Sequence, residues 1–115
     1  MSEAIAQNFG FSELLPREAA QRPDLIAVDV RQPEELSGPL GHIPGATHIP
    51  LDRLLSAGAP ADWERDAPLL LVCRSGARST HAAMQLAQWG FTRLHNLTGG
   101  MIAWNGARLP VARQR

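Results

Sequence analysis

A chain of 115 residues is sized for one domain and is long enough to bury a core without staples. Its 11 basic residues, every one an arginine, balance 11 acidic ones. That balance argues against a nucleic-acid partner or an anionic membrane, since either would call for excess positive charge. With no lysine, Schiff-base chemistry and a P-loop lysine are excluded, and a lone cysteine rules out an internal disulfide and a multi-cysteine zinc site.

Residues 1–9 carry no signal-peptide core and read as a loosely held N-terminal arm, leaving 10–115 as the single domain. No apolar run approaches the roughly 18 residues of a membrane span. The expected compartment is the cytoplasm, where thiols stay reduced.

In chain order, "FSELLPREAAQR" reads as a short strand near Ser12–Leu15 and a short helix opening at Pro16, a position where a missing N–H costs nothing. "DLIAVDVR" is a buried strand bounded by prolines. The Gly/Pro-dense stretch 32–47 is expected to be one long loop, followed by a short strand around "ATHIP" and a short helix in "LDRLLSAG" that stops at Gly58. "PLLLVC" is apolar throughout, as suits a central parallel strand covered on both faces. A helix over 79–90 follows, with Ser79 as its cap and Gly90 ending it. "RLHNL" is a further strand, "GGMIAWNG" a last short helix, and "RLPVARQR" a tail. Strands alternating with helices predict an α/β domain with a mainly parallel sheet.

Ligands of such sheets bind beyond the carboxyl ends of the strands, and Cys73 stands at one of these ends. The loop after it leads into a helix N-terminus, which exposes unpaired N–H groups and about half a positive charge. Gly76 allows a tight turn that aims further N–H groups inward, making an anion-binding nest. Such surroundings favour the thiolate, the nucleophilic form of cysteine. Arg74 and Arg78 add paired donors for an anionic substrate. A cysteine used only for packing has no need of "RSGARS" immediately after it.

Four segments together resemble the rhodanese (sulfurtransferase) family in its single-domain form, over about Leu15 to Val111: "VDVRQPEE" (28–35), "GHIPGATHIPL" (41–51), "LVCRSGARS" (71–79) and "LTGGMIAWNGARLPV" (97–111). The resemblance implies a three-layer α/β fold, a mainly parallel sheet of about five strands with helices on both faces. It implies that Cys73 takes a sulfane sulfur from a small anionic donor such as thiosulfate. The sulfur is held as a persulfide and passed to cyanide, a thiol or a protein acceptor. Arg74, Ser75, Gly76, Ala77, Arg78 and Ser79 would form the cradle, and no metal or organic cofactor is required. The related phosphatases and arsenate reductases have Cys-x5-Arg, whereas this chain has Cys-x4-Arg, a tighter loop suited to one sulfur atom. Those two activities, and a non-catalytic binding module, are the alternatives.

Asp29 and Arg31 are expected to brace the "GHIPGA" loop, and His42 and His48 to hydrogen-bond within it rather than hold a metal. His81 is a surface residue that could carry a proton, and Trp104 a candidate wall of the cleft. Arg108 stands where the family often has glycine, so Gly106 is expected to take over that turn.

Overall fold

The computed structural model describes residues 10–114, so the N-terminal arm read over 1–9 lies outside the described residues. Five strands form one all-parallel sheet: β1 (Ser12–Leu14), β2 (Ile26–Asp29), β3 (Thr47–His48), β4 (Leu69–Val72) and β5 (Leu94–Leu97), in the spatial order β1-β5-β4-β2-β3. Parallel neighbours need crossovers. These are supplied by α1 (Pro16–Ala20), α2 (Pro33–Leu36), α3 (Leu51–Ala57) and α4 (Ala77–Gln88), with α5 (Gly100–Gly106) after β5.

β4 explains both the layering and the direction of the cysteine. All four of its residues are buried, and successive side chains of a strand point to opposite faces. Leu69 and Leu71 pack with Val28, Val30, Leu54, Ala82 and Leu86 on the α3/α4 side. Leu70 and Val72 pack with Leu14, Ala19, Leu97, Met101 and Trp104 on the α1/α5 side. Cys73, next in the alternation, falls on the α4 side. The sheet is thus covered on both faces, which is why β4 tolerates no polar residue.

Four local expectations need correction. The stretch 32–47 is not one loop, because it opens with α2. Pro33 sits at the first helical position and the Glu35 carboxylate accepts the Gln32 N–H at 2.8 Å, a capping contact that rescues a four-residue helix. Helix α4 starts at Ala77 rather than near Ser79, because Gly76 (φ +114°) makes the turn two residues early. The C-terminal segment is docked, not loose. Leu109 and Val111 pack on the α1/α5 core, and Ala112 exchanges two backbone hydrogen bonds with His42, at 2.7 and 2.8 Å. Lastly, Arg108 itself takes the left-handed conformation (φ +60°), while Gly106 stays in α5 and leaves the turn to it.

Candidate active site

Cys73 follows β4 directly, and its residue is 1% exposed. The Gly76 N–H donates to Sγ at 3.0 Å, and the Ser79 hydroxyl lies 3.2 Å from the same sulfur. Ser79 also donates to the Gly76 carbonyl at 3.1 Å, an oxygen that accepts the Thr80 N–H at 3.0 Å as well. Ser79 is therefore a buried third residue of α4 that reaches back to the loop, not the residue that caps the helix. Arg74, Ser75 and Ala77 form an exposed rim over the covered sulfur.

The loop is oriented from the far side of the sheet by α5. The Met101 N–H donates to the Cys73 carbonyl at 2.9 Å, and the Ile102 N–H to the Arg74 carbonyl at 3.1 Å. In a trans peptide the N–H points opposite to the C=O. The N–H groups of Arg74 and Ser75 are thereby turned away from α5, to the side on which the cysteine side chain lies. Gly100 makes this contact possible: a Cβ there would stand 2.5 Å from both carbonyl oxygens, and its φ is +60°. The Gly-Gly pair was legible as a motif, but its service to a loop 26 residues upstream was not.

The two arginines of the loop differ in kind. Arg78 forks onto Glu35, Nη1 to Oε2 at 2.8 Å and Nη2 to Oε1 at 2.9 Å. These bonds outweigh partial burial and hold the Glu35 carboxyl at about 2, well below its usual 4.5, and the same contact raises Arg78. Arg74 is exposed, and its guanidinium makes no hydrogen bond or ion pair among the described residues. It borders a cleft of about 390 Å³ that is also lined by Arg31, Glu34, Glu35, Pro39 and Leu40. Glu35 did not stand out in the sequence, although its place in "PEE" after a strand and a proline marks a helix cap.

Asp29, at the end of β2, and Arg31 and His42, in the segment after it, make no hydrogen bond to residues 73–79 among the described residues. Arg31 is buried with Asp29: Nε donates to Oδ1 at 2.9 Å and Nη2 to Oδ2 at 2.8 Å. Arg31 Nη2 also donates to the Gly41 carbonyl at 2.7 Å. His42 Nδ1 bonds the Leu36 carbonyl and His48 Nε2 the Arg31 carbonyl, at 2.9 and 2.7 Å. His81 is exposed on α4. Trp104 does not wall the cleft. It is buried on the opposite face of the sheet, where its indole N–H donates to the Pro110 carbonyl at 2.9 Å.

The rhodanese-like domain family matches residues 13–107, and the chain belongs to it. A sulfurtransferase of Allochromatium vinosum is 38% identical over 100 residues, covering 87% of this chain and 90% of that protein. The thiosulfate sulfurtransferase GlpE of Pseudomonas paraeruginosa is 38% identical over 96 residues, covering 82% of this chain and 84% of its own length. Among solved structures, a rhodanese-related protein from Thermoplasma volcanium superposes with a TM-score of 0.79 at 26% identity, over 89% of this chain and 98% of that one.

Proposed function

We propose that this protein is a sulfurtransferase that carries sulfane sulfur on Cys73. The observation that carries this reading is the Gly76 N–H aimed at Sγ inside a loop that turns into α4 after only four residues. Amide donors around one atom stabilise negative charge on it and leave no room for a bulky group.

In the first step the Cys73 thiolate attacks the outer sulfur of thiosulfate. The new bond joins Sγ to that sulfur. The bond to the sulfonate sulfur breaks, and sulfite leaves with the electron pair. The persulfide then lies where the amides of Arg74, Ser75 and Gly76 face the cysteine side chain. In the second step cyanide, or the thiolate of a small or protein acceptor, attacks the outer sulfur, and the electron pair returns to Sγ. The Ser79 hydroxyl touches Sγ in the resting site, and by turning its one proton from the Gly76 carbonyl it can donate to the sulfur in its anionic form. Arg74, exposed and unpaired at the rim, suits the approach of the anionic donor. Asp29, Arg31 and His42 serve by bracing the adjoining loop, and neither metal nor organic cofactor takes part.

Intact mass measurement after thiosulfate treatment tests this. One added sulfur atom is expected, removed by cyanide and absent in Cys73→Ser. Turnover of an aryl phosphate without any sulfur gain would instead favour a phosphatase.

A further inference from the structure

Arg78 stands at the end of the cysteine loop with its guanidinium already engaged. It is the second residue of α4, next to the Ser79 whose hydroxyl touches Sγ. Its protonated form is favoured first by the hydrogen bonds to Glu35 and also by the charges around it. Both of its terminal nitrogens are occupied by the two oxygens of Glu35.

Glu35 is held ready for that role. Its Oε2 also accepts the Gln32 N–H, and its carbonyl accepts Arg31 Nη1 at 3.4 Å. Arg31 is in turn locked to Asp29 in the core. A carboxylate fixed by its own helix loses little freedom on pairing. A planar guanidinium whose end-on fork is filled by a carboxylate keeps only its Nε edge, and the carboxylate's negative charge repels a second anion there.

Resting on the sulfurtransferase reading, we infer that Glu35 is a specificity-determining residue: by pairing with Arg78 it denies the oxygens of a tetrahedral dianion a charged clamp beside the cysteine loop, so that sulfate and phosphate are held weakly and thiosulfate is engaged by its outer sulfur rather than by its sulfonate. With Arg78 withheld, the loop offers a cradle for one sulfur atom, and the departing sulfite meets no bidentate clamp. Anion attraction at the rim is left to Arg74, which is not tied to any geometry. The pairing is a side-chain contact between α2 and the first turn of α4, so loop length is not the whole of the discrimination against phosphate-like groups.

The test is calorimetric titration with sulfate, and separately with inorganic phosphate, of the full chain and its variants. Glu35→Gln keeps the shape and the capping oxygen but not the charged fork. It is expected to bind sulfate about tenfold tighter than the unaltered protein, the worth of one released charge-assisted pair. Glu35→Gln/Arg78→Gln should return to the original affinity. Glu34→Gln, an exposed change of the same charge in the same helix, should stay within about twofold, as a screened surface charge does. Glu35→Asp keeps the charge but is one methylene too short for the fork. It should show a smaller gain, and it carries the test should Glu35→Gln fail to fold by circular dichroism. No gain in either Glu35 variant would overturn the inference, and so would a gain that survives loss of Arg78 or is matched by Glu34→Gln. Sulfate binding needs no turnover, so it is separable from the sulfur-carrier reading. A Cys73 that never gains sulfur would sink that reading while leaving the sulfate result to decide the role of Glu35.

Discussion

Two loops leave the carboxyl ends of the adjacent strands β2 and β4, and they are ordered by opposite means. The β2 loop is long and is cross-linked by side chains: Asp29 to Arg31, Arg31 to the Gly41 and Glu35 carbonyls, His42 to the Leu36 carbonyl, His48 to the Arg31 carbonyl. The β4 loop is short and is held by backbone, through the α5 amides on two of its carbonyls and the turn at Gly76. A long loop has many carbonyls to satisfy and must borrow side chains to do it. A short one can be shaped by its neighbours' main chain, which leaves Arg74, Ser75 and Ala77 exposed around the sulfur. Structural ionic groups accordingly collect in the first loop and chemically available ones in the second. Glu35 and Arg78 are where the two meet.

The sharpest way to break this contrast is Asp29→Ala. It strands the Arg31 guanidinium, 1% exposed, without its partner. A cost of about 3–5 kcal/mol is expected in urea unfolding, whereas replacing both residues by well-packed apolar ones should cost less. A loss below about 1 kcal/mol would mean that the β2 loop does not depend on its side-chain lattice.

Gly100→Ala attacks the other loop through its backbone support. Forcing a Cβ against the Cys73 and Arg74 carbonyls should cost about 1–3 kcal/mol of stability. Displacing the cradle by about an ångström should slow persulfide formation on the order of a hundredfold. Single-turnover kinetics with thiosulfate would show it, and an unchanged rate would detach α5 from the chemistry.

The bridge between the loops has a pH signature. Folding holds the Glu35 carboxyl at about 2 against its usual 4.5, so the unfolded chain binds more protons between those values. The contribution is complete above 4.5 and is lost as pH falls toward 2. Because both side chains are partly open to water, it amounts to about 1 kcal/mol. Unfolding measured near pH 6 and near pH 3 should reveal an acid loss that is smaller by roughly half that amount in Glu35→Gln.

The smallest effect lies outside both loops. Arg108→Gly relieves a left-handed residue at the price of a more flexible unfolded chain, so a net gain of about 0.5 kcal/mol is expected, read as a slightly higher Tm. A loss would show that the arginine side chain anchors the turn.

Much of the architecture was legible because it rests on short-range rules. The apolar run 69–72 announced a doubly covered central strand, Pro16 marked the start of α1, and Gly58 and Gly90 marked helix ends. Errors fell where a local signal competed with a longer-range one. Ser79 looked like a cap, but Gly76 turned the chain first and the hydroxyl was drawn to the loop. Gly106 looked like the turn residue, but it remained helical and Arg108 took the strain. The Gly/Pro density of 32–47 hid a helix whose cap, Glu35, is also the partner of Arg78.

By itself the sequence determined that one thiol stands at the end of a buried parallel strand, before a glycine turn and a helix. Strand burial, turn chemistry and helix starts are set by residues within a few positions of one another. Only the tertiary structure decided which groups surround that thiol. Gly100 and the α5 amides reach the loop from across the sheet, and Glu35 claims Arg78 from the next loop over. Contacts between residues 26 to 43 positions apart depend on how the layers stack, and no local pattern encodes that.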